Sequence, residues 1–521
     1  MAELKSKFSE EVLNAYSFEN ESLLLGGAML DGECIKEHFV RIPLSTLNRH
    51  GLIAGATGTG KTKTLQIIAE QLSAKGVPSI VMDVKGDLSG VAAMSPGHPK
   101  IDERHELIGF PFSADNSPVE FLSLSNEPGV RLRATVTEFG PVLFSKILDL
   151  NNTQAGIMAV VYKYCDDMDL PLLDLKDMKK VLQFITGDGK EEVEAEYGRM
   201  SSASIGTIMR KILELEQQGA DMFFGEKSFD VDDLTRLDKE GKGVISILRL
   251  TDIQNKPKLF STFMLQMLAE IYATFPEEGD VDQPKLALFI DEAHLVFEEA
   301  SDALMDQIEV IIKLIRSKGV AVFFITQNPT DIPDVVLSQL GLKVQHALRA
   351  FTAKDRKAIK LVAQNFPLTD YYDVEELLTN MGIGEALVTA LNEKGIPTTL
   401  VHTLLRAPQS RMDVLTDKEI DQLIDRSALI SKYNEDIDRE SAYEILSGKL
   451  EEYGEDETQE RLRGQRGRAK REKSTLEKVF DSTTGRQIGR TVARELTRGL
   501  LGVLGVKTTR RRKSRKSYSW F

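Results

Sequence analysis

The segment Gly55-Ala56-Thr57-Gly58-Thr59-Gly60-Lys61-Thr62 constrains this chain more than any other feature, because it satisfies G-x-x-x-x-G-K-[ST]. Each residue type in that pattern has a physical task. Glycines let backbone N–H groups turn inward around a β-phosphate, where the N-terminus of a following helix adds a favourable dipole. Lys61 supplies charge to the β/γ oxygens, and the Thr62 hydroxyl ligates Mg²⁺. Average residue usage allows roughly 0.02 chance matches in a chain of this length. The flanks agree with the pattern. Leu52–Ala54 reads as a short buried strand, and Thr62–Lys75 as a helix with Leu65, Ile68, Ala69 and Leu72 on one face. Gly76 and Pro78 stop that helix. Gly55 to Thr62, with Thr64 in the first helical turn, are thus the expected nucleotide-binding residues. ATP is favoured over GTP, since no guanine-reading N-K-x-D segment stands out.

Strand signals recur at Ile80–Asp83, Val244–Leu248, Leu286–Ile290, Val320–Thr326 and Val344–Leu348, with helical patterns between several of them. Ser301–Lys318 is the clearest helix, stopped by Gly319. This alternation predicts an α/β fold with a mostly parallel sheet. Glu385–Leu391 and Thr398–Leu405 read as a closing hairpin. The expected division is a short N-terminal segment (1–45) and an α/β core (46–100 and 240–407) interrupted by a mostly helical insertion (101–239). An acidic helical extension (408–455) and a basic, partly disordered tail (456–521) follow.

Asp291 and Glu292 follow the buried run Leu286–Ile290. At a strand's carboxyl end such a pair divides the work: Asp291 holds Mg²⁺, and Glu292 orients and polarises the attacking water. The strand Val322–Thr326 ends at Gln327, whose amide suits a γ-phosphate sensor. Arg316 and Arg349 compete for the transition-state finger, Arg316 being favoured because it ends the helix before the sensor strand and can project out of the subunit. Asp83 is a candidate supporting group at the switch of the sheet.

Charge and composition exclude several classes. The 41% hydrophobic and 28% charged content is ordinary for a globular chain. No apolar run approaches the ~18 residues of a membrane span, and no secretory h-region opens the chain. Cys34 and Cys165 lack CxxC spacing, so a reducing cytoplasm is expected. From Arg461 to Phe521 there are 19 Lys+Arg and 4 Asp+Glu, a net +15, which leaves −29 on the rest of a chain whose total is −14. An acidic body with a basic tail points to nucleic-acid binding by a local groove, a pore or the tail. In that tail Arg490, Arg494 and Arg498 share one face of a short helix, and Arg510–Lys516 (RRRKSRK) suits phosphates.

Taken together, Asn48-Arg49-His50-Gly51 through Thr62 and Asp83-Val84-Lys85-Gly86-Asp87-Leu88-Ser89-Gly90 resemble the HerA/FtsK superfamily. The similarity is closest to its bacterial YjgR-like branch of HerA-like proteins. Ile290–His294, Arg316–Val320, Thr326–Pro329 and Asp438–Glu444 support it in the right order, over roughly residues 20–450. The resemblance implies a RecA-like P-loop NTPase core that hydrolyses ATP with Mg²⁺ and drives double-stranded DNA through a central pore. It implies a homo-oligomer, with a hexameric ring as the expected form, a finger at Arg316 and a sensor at Gln327. A nuclease or other protein is the expected class of partner. Archaeal helicases of this group carry an N-terminal β-barrel, for which residues 1–45 are too few. The string Asp291-Glu292-Ala293-His294 also suggests DEAH-box helicases, but Lys61 and Asp291 are 230 residues apart and no second ATPase-like domain is present. Two rivals remain at this level: an ATP-switched scaffold with slow hydrolysis, and a motor acting on RNA or protein.

Overall fold

Fully buried strands alternate their side chains between two faces, and here that alternation builds two separate cores on one sheet. In Val320–Thr326, Val320, Val322 and Phe324 enter one core, while Ala321, Phe323 and Ile325 enter the other. Leu286–Ile290 does the same, and the rings of Phe289 and Phe323 stack across neighbouring strands at 4.6 Å. Burying each such ring contributes about 1.5–3 kcal/mol. The helix Lys61–Ala74 packs its Leu65, Ile68 and Leu72 on the second face. Helices of the insertion, together with Pro257–Thr274 and Asp302–Ile315, cover the first.

The computed structural model describes residues 2–449 apart from 126, 253–255, 280, 298–301, 436 and 438. The basic tail, its short helix and Asp438 therefore lie outside the described residues. The strands are β1 (Ser22–Leu30), β2 (Glu33–Pro43), β3 (Gly51–Ala54), β4 (Ser79–Asp83), β5 (Val119–Ser123) and β6 (Val130–Arg131). They continue with β7 (Ile245–Arg249), β8 (Leu286–Ile290), β9 (Val320–Thr326), β10 (Leu342–Gln345), β11 (Glu385–Thr389) and β12 (Val401–Leu405). They form one sheet of order β2-β1-β12-β11-β10-β3-β9-β8-β4-β7-β5-β6. Every pairing from β10 to β6 is parallel. Those from β2 to β10 are antiparallel.

The structure adds to the sequence reading in several places. In the short N-terminal segment, Ala2–Ala15 is a helix, and β1 and β2 extend the sheet beyond the closing hairpin. The stretch read as a mostly helical insertion does contain helices from Val136 to Gln217, but its β5 pairs with β7 inside the main sheet. The strand expected at Val344–Leu348 ends at Gln345, because the next residues turn to hold the phosphate loop. His346 N–H donates to Ala54 O at 2.7 Å, and Ala347 O accepts from Ala56 N–H at 2.8 Å. The last helix turn before β9 tightens to a 3₁₀ turn at Arg316–Lys318, closed by Gly319 at φ +72°.

Candidate nucleotide site

The phosphate loop hangs between two strands. Gly55 N–H donates to Thr326 O at 3.2 Å on β9, and the Ala56 contact ties it to the β10 side. Gly55 has φ +151°, and a Cβ there would lie 2.5 Å from the Cβ of His346, so no other residue fits. Gly60, at φ +116°, caps the helix Lys61–Ala74 in a backbone conformation that L side chains rarely adopt. Thr59 O accepts from Gly384 N–H at 3.0 Å, which fixes the loop from the antiparallel side. Lys61 is buried, and its ammonium donates to Gly55 O (2.7 Å) and Ala56 O (3.2 Å). Burial, then the nearby Lys85, lower its pKa, against the pull of Glu292, Asp291 and Asp87.

Because β9 lies between β3 and β8, the residues at the carboxyl ends of all three strands meet. Gln327 accepts through Oε1 from the Thr57 hydroxyl at 3.3 Å, so sensor candidate and loop touch. Asp291 is buried at the end of β8, and its Oδ2 has no hydrogen-bond partner among the described residues. Burial pushes its pKa up to about 7. A buried carboxylate oxygen left unpaired at a strand end, on the same sheet edge as the loop's threonine hydroxyl, is the kind of oxygen donor that fits a hard divalent cation such as Mg²⁺. Glu292 is buried with φ +47°, a left-handed conformation uncommon for glutamate and concentrated at functional sites. Its Oε1 pairs with the Lys85 ammonium, and His294 Nδ1 lies 3.3 Å from Oε2.

Other candidates fall elsewhere. Thr64, expected among the nucleotide residues, is fully buried, with its hydroxyl 3.3 Å from Gly60 O and 2.8 Å from His346 Nε2. Through these two contacts it braces the loop against His346. Arg349 is exposed at the carboxyl end of β10, where it donates to Thr379 O at 3.3 Å. Arg316 lies before the first residue of β9, whereas the phosphate loop bonds to the last. Seven strand residues put the two about 20 Å apart, beyond the reach of one arginine side chain. Next to it, His50 Nδ1 accepts from Val322 N–H (3.1 Å) and Nε2–H donates to Ile312 O (2.9 Å). Burial lowers its pKa to about 4, so the ring is a neutral strut between the Arg316 helix and the strand entering the loop. Sequence spacing missed His346, Gly384, Lys85 and Asp87 as parts of the site. The last two lay in a quoted segment, but only the fold brings them to Glu292 and Thr62.

A parallel sheet in which β9 separates the phosphate-loop strand β3 from the acidic strand β8 defines a RecA-like P-loop ATPase fold. A family model described as helicase HerA-like, C-terminal, matches residues 30–511. The chain belongs to that HerA-like family. The DNA double-strand break repair helicase HerA of Saccharolobus solfataricus is 21% identical over 359 residues, covering 67% of this chain. The chain thus spans about 63% of the length of that relative. Among solved structures, the unbound bacterial conjugative coupling protein TrwBΔN70 superposes with a TM-score of 0.51 at 13% identity, covering 78% of this chain and 95% of its own. That likeness concerns the fold alone. Among the described residues, no helix is long and apolar enough to cross a membrane.

Proposed function

We propose that this chain is an ATP-hydrolysing motor of the HerA-like type that translocates on or unwinds DNA. The observation that carries the reading is the meeting of Gln327, Asp291 and Glu292 with the loop Gly55–Thr62 at one sheet edge. Backbone N–H groups of the loop and Lys61 would hold the phosphates, and Thr62 with Asp291 would hold Mg²⁺. The ion, when bound, neutralises charge on the transferring phosphoryl oxygens. Glu292 accepts a proton from the attacking water, and Gln327 orients that water or the γ-phosphate.

Arg316 acts in trans. Its distance from its own loop supports this, as does the stiff seating of its helix on His50. The working form is then a homo-oligomer, a hexameric ring, with Arg349 the rival candidate for a nucleotide-linked role. DNA occupies the ring's pore or meets the basic tail; a nuclease is the partner class we expect, and the YjgR-like branch and a cytoplasmic location complete the reading. The similarity to a DNA double-strand break repair helicase supports DNA over RNA or protein.

The test is ATP turnover by the full chain with and without duplex DNA. We expect stimulation by duplex DNA, weaker in a chain lacking Arg461–Phe521, whose DNA affinity should also depend less steeply on salt. Nucleotide-dependent complex formation with no DNA stimulation would instead make the protein an ATP-switched scaffold.

A further inference from the structure

A second short loop grips both halves of the nucleotide site. Asp83 ends β4 and accepts on Oδ1 from the N–H groups of Gly86 (2.7 Å) and Asp87 (3.2 Å), and on Oδ2 from Leu88 N–H (3.1 Å). With its whole carboxylate engaged, Asp83 fixes the turn that follows. Two side chains project from that turn. Asp87 Oδ2 accepts from the Thr62 hydroxyl at 3.3 Å, and the Lys85 ammonium pairs with Glu292 Oε1. The Lys85 side chain is 35% exposed against 7% for Glu292, so the ion pair has one open side. Burial disfavours the Lys85 charge, yet Glu292, Asp291 and Asp87 hold its pKa above the usual lysine value. Lys85 in turn helps to depress Lys61, so the two ammonium charges act on each other.

We propose that Lys85 is a second phosphate-binding cation of this site, which recognises the γ-phosphoryl group of a nucleoside triphosphate and leaves Glu292 when it does so. The inference rests on the nucleotide reading above and adds to Gln327 a charged group that tells a triphosphate from a diphosphate. The phosphate loop addresses the β-phosphate of either. Only a triphosphate adds an anion on the Glu292 side of Lys61, and it competes there for the Lys85 ammonium. An ammonium on a flexible stem can change partner while its backbone stays fixed, and Asp83 does fix it. While Lys85 holds Oε1, that oxygen is not free to take a proton from water. Transfer of the ammonium to the γ-phosphate releases it. Triphosphate binding and release of the general base are then one event, which a diphosphate does not trigger.

Equilibrium binding by the full chain tests this, with Mg²⁺ and either ADP or the β,γ-imido analogue of ATP. Lys85→Ala should bind the analogue ~10-fold or more weakly, as for loss of a charged hydrogen bond, with ADP affinity unchanged. Lys85→Arg should stay closer to wild type than to the alanine variant. Glu292→Gln removes the competing carboxylate, so it should tighten analogue binding, and adding Lys85→Ala should abolish that gain. Equal weakening of both nucleotides, an unaffected analogue, or a Glu292→Gln gain that persists without Lys85 would overturn the proposal. Failure of the wild-type chain to bind either nucleotide would overturn the nucleotide reading itself, and the inference with it.

Discussion

Between β10 and β6 the sheet is parallel, and the strand ends of that half hold the phosphate loop, Asp291, Glu292 and Gln327. Between β2 and β11 it is antiparallel and contributes none of these groups, yet it sets where the loop sits. Gly384 N–H holds Thr59 O. Arg104, on the helix Pro99–Ile108, donates to Gly384 O (3.0 Å), Leu405 O (2.9 Å) and Ile383 O (3.2 Å). The difference has a physical origin. Parallel strands aim all their carboxyl ends at one edge, where chemistry can converge, whereas antiparallel strands alternate direction and serve as a brace.

If that division of labour is right, the largest effects belong to the parallel half. Arg316→Lys should bind ATP normally and lose about 10³–10⁵ in turnover, because lysine lacks the planar fork a finger uses. Mixing it with Lys61→Ala protein should restore some turnover once subunit exchange is verified. Exchange without rescue, or an active protein that stays monomeric, breaks the trans assignment. Phe323→Ala removes a ring stacked on Phe289 in the second core and should cost about 3–5 kcal/mol in denaturant unfolding. A loss under ~1 kcal/mol, the scale of ordinary surface changes, would mean that the parallel strands are not packed as described. The smallest effect belongs to the brace. Arg104→Ala leaves three carbonyls without their charged donor, and solvent screening at this half-buried site should keep the cost to about 1–2 kcal/mol. It should weaken nucleotide affinity while leaving turnover at saturation unchanged; a fall in saturated turnover would erase the distinction between the halves.

What could be read from the sequence follows the same line. The loop, the helix after it, the acidic strand and the sensor strand are local patterns, in which a few consecutive residues determine both structure and chemistry. The brace is not local. Arg104 and Gly384 are 280 positions apart, and no spacing rule links them. β1 and β2 were hidden for a different reason. Their pairing shifts register between Leu24 and Gly26 and again between Gly27 and Met29, and such irregularities disrupt the two-residue alternation that marks a strand. β5 is five residues long and set between irregular segments, too short to reveal itself without its partner β7. The contact of Thr64 with His346 was hidden because the helix start is legible, whereas which side of the first turn faces His346 is set by β10.

The central claim is that Glu292 activates water beside a phosphate loop that does not need its carboxylate to bind nucleotide. Binding and turnover of ATP by Glu292→Gln, measured on the same preparation, test this most directly. The account predicts that ATP binding persists while turnover falls by about 10²–10⁴. Turnover near that of the wild-type chain would contradict it.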